Sequence, residues 1–334
     1  MSSGLKVAIA GPTGAVGRQL LQVMEQRQFP VRELVLMASS HSAGTTLSFR
    51  GQEHEVREIS ADLFDRVDVA FFATGAEISR RWIPVAVAAG AVAIDKSSYY
   101  RMDPGVPLVV PEVNAAALKG HHGIVASPNC STIQLVVAVA PLVARAGARR
   151  LVVASYQSVS GTGREAMAEL ESQTRDVLSG REPTPEVYRR PIAFNLFPHI
   201  DEFDDEGNTG EEIKMVRETR KILSAPDLPI TATCVRVPVF VSHSEAVWLE
   251  TEQELSAAEA RDILARAPGI RVWPGNDYPT PLDAAGTDLV MVGRVRKDPS
   301  VTHGLAMWVV ADNLRKGAAT NAVQIAEVLF GLTP

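Results

Sequence analysis

The sequence predicts a two-domain α/β chain, with a doubly wound, mostly parallel sheet first and an α+β domain with a mostly antiparallel sheet after it. Three observations carry this. The 334 residues exceed the roughly 250–300 at which one hydrophobic core usually splits. The first 130 residues alternate short apolar runs with helix-periodic segments, as parallel strands covered on both faces do. Beyond them the strand-like stretches become longer and alternate in polarity.

In chain order, LKVAIAG (5–11) is an apolar run ending in glycine, and GRQLLQVMEQ (17–26) has helical spacing. ELVLMAS (33–39), VDVAFFATG (67–75), AVAID (91–95), LVVPEV (108–113) and GIVASP (123–128) read as further buried strands. Helices follow at 131–146, 163–179, 211–224 and 256–266. Between and after them lie strands at 150–160, 230–241, 244–252, 289–297 and 303–313, the last two joined by a hairpin turn in KDPSVT. Residues 314–330 form a closing helix, and 181–210, with Pro183, Pro185, Pro191 and an acidic run, is the most loop-like stretch.

Composition excludes several classes. Hydrophobic residues at 46%, charged residues at 22% and a net charge of -6 describe an ordinary globular chain with no electrostatic footprint for nucleic acid or an anionic membrane. No apolar run reaches the ~20 residues of a membrane span. MSSGLKVAIAG lacks the pattern of a secretory signal, and two cysteines make no disulfide framework, so a reduced, cytoplasmic protein is expected. The seven histidines are scattered apart from the His121–His122 pair and no CxxC or HExxH occurs, so no metal site is expected.

GPTGAVG (11–17) ends a strand and opens a helix. Glycines there allow a tight turn and close approach of a pyrophosphate to the helix N-terminus. In the first strand–helix unit of such a chain this points to a Rossmann-type doubly wound cofactor domain that binds a dinucleotide. The second strand ends in ASSHSAG (38–44), with no carboxylate to receive a ribose 2′-hydroxyl. Ser39, Ser40, Ser42, His41 and backbone N–H groups suit a 2′-phosphate instead, which favours NADP.

SPNCSTIQ (127–134) places Cys130 at a helix start, where Ser131 and Gln134 match a capping box and Asn129 is an alternative cap. The helix dipole favours a thiolate there, and the carboxyl ends of strands in open sheets are where ligands bind. Cys234, inside ITATCVRV, reads as core. A nucleophilic cysteine working with a nicotinamide implies aldehyde–acyl chemistry through a thioester, with a base to manage protons.

These motifs resemble the aspartate-semialdehyde dehydrogenase family. The resemblance runs along nearly the whole chain through GPTGAVG, DKSSYYR (95–101), VVPEVN (109–114), SPNCSTIQ, SYQSVSGTG (155–163), NTGEEIKMVRET (208–219), RVPVFVSHSEAV (236–247) and NLRKGAATNAVQIAE (313–327). It implies NADPH-dependent reductive dephosphorylation of L-4-aspartyl phosphate to L-aspartate-4-semialdehyde and inorganic phosphate, and the reverse. That reaction serves lysine/diaminopimelate, methionine, threonine and isoleucine biosynthesis. It further implies a homodimer, with an NADP-binding domain at 1–129 with 314–334 and a catalytic and dimerisation domain at 130–313. By the same resemblance Cys130 is the nucleophile, His243 the acid/base and Gln157 the group that orients the acyl chain. Arg236 clamps the substrate carboxylate and Glu211 its ammonium, while Arg101, Lys214 and Asn129 bind phosphate. Gly11, Thr13, Gly14, Ala15, Val16, Ser39, His41, Ser42, Thr74, Ser160, Gly161 and Asn313 contact NADP. The family commonly carries arginine where His41 stands, so a softer NADP preference is expected here.

Taken on their own, the same residues say less. His243 reads as a strand-edge surface histidine, and Arg236, seven residues earlier, falls on the opposite face of a regular strand unless Pro238 breaks it. Glu211 and Lys214, on a helix begun by a Thr209–Glu212 box, have the spacing of a solvated pair, and Arg101 that of an exposed loop charge. Two alternatives stand beside the family reading. One is an N-acetyl-glutamyl-phosphate reductase-like enzyme, which carries a glycine before its cysteine where this chain has Asn129. The other is a non-catalytic NADP-binding paralogue, which would lack Cys130, His243 or Arg236.

Overall fold

Strand β1 (Leu5–Ala10) begins a computed structural model that describes residues 4–332; residues 1–3 and 333–334 of the expected bounds lie outside the described residues. The chain divides into two compact units, one of residues 1–129 with 318–334 and one of 130–317.

In the first unit β1 is followed by α1 (Ala15–Gln26), β2 (Val31–Ala38), β3 (Thr46–Phe49), β4 (Gln52–Glu58), β5 (Val69–Phe72), α2 (Ala76–Ala88), β6 (Val92–Asp95), α3 (Pro111–Asn114) and β7 (Ile124–Ala126). The sheet order is β3-β4-β2-β1-β5-β6-β7, parallel except for the β3/β4 hairpin. Strand alternation explains why it is covered twice. Val7, Ile9, Val69 and Phe71 face a core with Leu20 and Met24 of α1, whereas Ala8, Ala10, Ala70 and Phe72 face one with Ile83 and Ala86 of α2.

Two expectations are corrected here. Residues 108–113 are not a strand: Leu108 makes an isolated bridge to Ala126, and Pro111 then opens α3, where it needs no amide donor. The β3/β4 hairpin was not anticipated. Its turn rests on Arg50 and Gly51, both at positive φ, without the Asn-Gly or Asp-Gly pair that marks hairpins in sequence.

The second unit contains α4 (Cys130–Ala146), β8 (Arg150–Gln157), α5 (Arg164–Leu178), α6 (Gly210–Ile222), β9 (Ile230–Arg236), β10 (His243–Glu250), α7 (Ala257–Arg266), β11 (Ile270–Val272), α8 (Pro281–Ala284), β12 (Val290–Lys297) and β13 (Gly304–Ala311). Its sheet runs β11-β12-β13-β10-β8-β9, antiparallel in the middle and parallel at both edges. Helices α4, α6 and α7 cover one face. The other is half exposed and carries Tyr156, Trp248 and Trp308. The hairpin expected at 297–302 joins β12 to β13.

A π-helical turn (Arg315–Ala319) leads into α9 (Thr320–Leu329), which belongs to the first unit. There Ala322, Val323 and Ile325 join the α1 core, and Arg27 donates to both Glu327 oxygens at 2.7 and 2.6 Å. Among the described residues no helix is long and apolar enough to cross a membrane.

Candidate active site

Strand register assembles the centre of the second unit. Gln157 on β8 pairs with Arg236 on β9. On the other side Tyr156 pairs with Ser244 of β10, so Gln157 and His243 come side by side one residue further on. Arg236, Gln157 and His243 therefore share one row on the face covered by α4 and α6. The seven-residue gap between Arg236 and His243 is spanned by a turn between two strands, with Ser242 at φ 77°. Pro238 lies in that interruption, so the opposite-face spacing of a regular strand does not apply. His243 is buried rather than a surface histidine.

The imidazole has a defined tautomer. Its Nδ1 accepts from the Ser158 backbone N–H at 3.0 Å, with Ser158 Oγ at 3.1 Å. A backbone N–H can only donate, so the proton of the neutral ring sits on Nε2. Nε2 has no hydrogen-bond partner among the described residues. It points toward Gly161, where a side-chain methyl would lie 3.3 Å from Nε2 and 3.1 Å from Arg236 Nη1. Burial, and then the nearby Arg236 guanidinium, bring the His243 pKa down to about 3, opposed by Glu211. Asn313 Oδ1 supports the ring from behind by accepting from Ser158 Oγ, Ser160 Oγ and Ser242 N–H. Ser160, Gly161 and Asn313, expected around a cofactor, thus cluster with His243.

Gln157 Nε2 donates to Glu211 Oε1 at 3.1 Å and to Ser155 Oγ at 3.2 Å. Arg236 donates from Nη1 to the Ser158 carbonyl at 2.6 Å, while its Nε is buried and without a hydrogen-bond partner among the described residues. Glu211 comes from the first turn of α6, begun by the expected Thr209–Glu212 capping box. It is buried, whereas Lys214 is partly exposed between Glu211 and Asp201, so the pair is not the solvated one its spacing suggests.

Cys130 opens α4, a helix buried on nearly all sides and half-shielded at the cysteine itself. The expected Ser131–Gln134 box does not form, because Ser131 is already helical and the Gln134 amide is buried without a hydrogen-bond partner among the described residues. The π-helical turn packs closely on Cys130: a methyl at Gly317 would fall 3.0 Å from Cys130 Cβ. Gly317 and Ser158 were not anticipated, although both lie within motifs quoted above. Cys234 is core, with Sγ 3.4 Å from Met215 Sδ and its thiol pKa pushed up by burial.

In the first unit the glycine loop joins β1 to α1. Gly11 adopts φ 81°, and a methyl on it would meet the Ala73 carbonyl at 2.5 Å; one on Gly17 would meet the Gly11 carbonyl at 2.1 Å. Gly14 is exposed and spacious, and Thr13, Ala15 and Val16 surround it at the helix start. Thr74 Cγ2 lies against Gly11, and its Oγ1 bonds Ser79 Oγ at 3.2 Å. Ser39, His41 and Ser42 form a turn after β2, closed by Ser42 N–H to the Ser39 carbonyl at 3.0 Å, with no carboxylate within it. Arg101, expected to be exposed, is buried and donates to the Ser127 and Lys96 carbonyls at 3.1 and 2.8 Å, and Asn129 is buried too.

The His243 environment has a consequence for stability. A folded pKa of about 3 against roughly 6.5 unfolded means that the unfolded chain takes up the proton first as pH falls. This group's contribution is complete above pH ~6.5 and shrinks by up to about 1.4 kcal/mol per pH unit below it. Denaturant unfolding of wild type and His243→Gln from pH ~7 to ~4 should show a difference that changes with pH in that sense. A constant difference would mean that the ring is not held neutral.

Two family models match: semialdehyde dehydrogenase, NAD binding domain, over residues 6–121, and semialdehyde dehydrogenase, dimerisation domain, over residues 139–316. The aspartate-semialdehyde dehydrogenase of Aquifex aeolicus is 51% identical over 98% of both chains, and that of Bacillus subtilis is 47% identical over the same shares. Among solved structures, aspartate semialdehyde dehydrogenase II of Vibrio cholerae complexed with ASA has a TM-score of 0.97 at 47% identity, covering 99% of both chains. The Candida albicans enzyme with NADP scores 0.76 at 25% identity, covering 98% of this chain and 99% of that one. With its glycine loop, its Cys130 helix and the Arg236–Gln157–His243 row, the chain belongs to the aspartate-semialdehyde dehydrogenase family.

Proposed function

We propose that the protein reduces L-4-aspartyl phosphate to L-aspartate-4-semialdehyde with release of inorganic phosphate, and runs the reverse reaction, through a thioester on Cys130. The observation that carries this reading is the buried row of Arg236, Gln157 and His243 with Glu211 beside it. A guanidinium with a free buried donor matches a carboxylate, and a buried carboxylate matches an ammonium. Together they select an α-amino acid.

The residues divide the work by chemistry. Arg236 binds the substrate carboxylate and Glu211 its ammonium, while Gln157, held by Glu211, steers the acyl carbonyl. The Cys130 thiolate attacks that carbonyl, the C–O bond to phosphate breaks, and phosphate leaves with the electron pair. Arg101, Asn129 and Lys214 are the groups we assign to phosphate. NADPH, when bound, supplies hydride to the thioester carbon. His243, with its proton on Nε2, stabilises the oxygen that becomes negative; to act as a base through Nδ1 it must first release the Ser158 N–H. Collapse of the tetrahedral adduct returns the thiolate and frees the aldehyde.

NADP fits the first unit. Gly11 and Gly17 let the strand–turn–helix joint close tightly at the start of α1, and Gly14, Thr13, Ala15 and Val16 offer the open backbone there to a pyrophosphate. Ser39, His41 and Ser42 suit a 2′-phosphate, with Thr74 beside Gly11. We assign Ser160, Gly161 and Asn313 to the nicotinamide end. The assembly is a homodimer, a reading supported by the half-exposed face of the second sheet, where Tyr156 is 37% exposed.

The deciding assay is phosphate-dependent reduction of NADP with L-aspartate-4-semialdehyde. Cys130→Ala should abolish turnover and covalent acylation while NADPH still binds; an acyl adduct on Cys234 would refute the assignment. Arg236→Leu should lower kcat/KM by roughly two to four decades, from the ~3–5 kcal/mol lost when a buried ion pair loses one partner. Lysine there should recover only part, because it keeps the charge without the fork. Wild type should prefer NADP over NAD in kcat/KM by roughly one to three decades, the contribution of one or two hydrogen bonds to a charged group. His41→Arg should widen that ratio, and an unchanged ratio would remove His41 from the phosphate site.

A further inference from the structure

Next to the row of Arg236, Gln157 and His243 lies a second row that this mechanism does not use. Cys234, Ser155, Glu245 and Val309 pair across β9, β8, β10 and β13 on the same face. Glu245 is fully buried and follows His243 by one strand repeat. Gln134, also buried, follows Cys130 on α4 by one helical repeat. Helix α4 and strand β10 pack on each other. Gln134 and Glu245 thus repeat the Cys130 and His243 positions one step along the same two elements.

Both Glu245 oxygens and both polar atoms of the Gln134 amide are buried, and none of the four is in hydrogen-bond geometry with any group among the described residues. Burial raises the affinity of the carboxyl for its proton well above the ordinary range, and the nearby Gln134 amide tempers that rise. The titratable neighbours on this face are Glu211 and Glu212 of α6, Arg236 and Cys234 of β9, His243 of β10 and, one helical repeat from Gln134 on α4, Cys130, whereas β8 and β13 bring the uncharged Ser155 and Val309. Among the described residues no cation is in hydrogen-bond contact with Glu245. An ionised carboxylate there would be costly, whereas a protonated one offers an O–H donor and a carbonyl acceptor that match an amide.

We propose that Glu245 and Gln134 are positioning residues, a buried acid–amide pair that holds the helix carrying Cys130 in register with the strand carrying His243. A paired polar contact has one good alignment, whereas two apolar surfaces can slide. The inference rests on Cys130 and His243 being the nucleophile and its partner.

The experiment measures kcat, KM and the rate of Cys130 alkylation by iodoacetamide across pH in wild type, Glu245→Ala, Gln134→Ala, the double variant and Glu245→Gln. Each alanine variant should lower kcat by about tenfold or more, since small misplacements are costly, with KM within about twofold. Each should also displace the alkylation–pH profile. The double variant should be no worse than either single one, and Glu245→Gln should recover most of kcat. Additive losses, a change in KM alone, a wild-type profile in Glu245→Ala, or a glutamine variant as poor as alanine would each overturn the proposal. Should Glu245→Ala not fold, Gln134→Met, which keeps the volume, carries the same expectation.

A second readout tests the proton. A carboxyl whose folded pKa is raised loses stability as pH rises from its unfolded value near ~4.3. The Tm gap between Glu245→Gln and wild type should therefore widen from pH ~5 to ~8; a constant gap rules out the neutral acid. If Cys130→Ala keeps turnover, the nucleophile assignment fails, yet the alkylation profile still reports whether Glu245 and Gln134 position that thiol.

Discussion

The pairing of β8 with β9 on one side and β10 on the other is the constraint on which the second unit depends. It sets a guanidinium, an amide and an imidazole in one row. A shift of one residue in either pairing would turn one flank of the row to the half-exposed face. The register is held by apolar alternation below the row, where Leu151, Val153, Val247, Leu249 and Val309 are buried against the helices. Packing that serves stability therefore also places the chemistry.

Burial is what makes these polar groups specific. Each is shielded from water, so each is defined by its partners: His243 by Ser158, Gln157 by Glu211 and Ser155, and Asn313 by two serines and a backbone N–H. In a shielded site such contacts are stronger, and an unmet donor such as Arg236 Nε costs more. The neutral ring with its proton on Nε2 follows from that setting rather than from histidine itself. So does the contrast between two cysteines of one chain, one at a helix start and one sealed against Met215.

The first unit works by leaving side chains out. At Gly11 and Gly17 a single methyl would strike backbone carbonyls, so the strand–turn–helix joint closes only with glycine. Gly14 meets no such limit, and it is where the loop is most open. The Arg27–Glu327 contact and the apolar face of α9 bring the end of the described chain back onto this sheet.

The sequence by itself determined most elements, because apolar period, glycine spacing and caps are local signals. The glycine loop, Cys130 at a helix start and the Thr209–Glu212 box were legible in this way. Its local signals misled at Pro111, read as strand, and at Ser131, read as a cap, where neighbouring segments chose between two plausible local structures. Only the tertiary structure decided that Arg236 and His243 share a row, that Arg101 and Glu211 are buried, and that Gln134 and Glu245 lie within one polar layer. Register joins residues far apart in the chain, and burial depends on what packs above a strand, so neither is written in the spacing of any one segment.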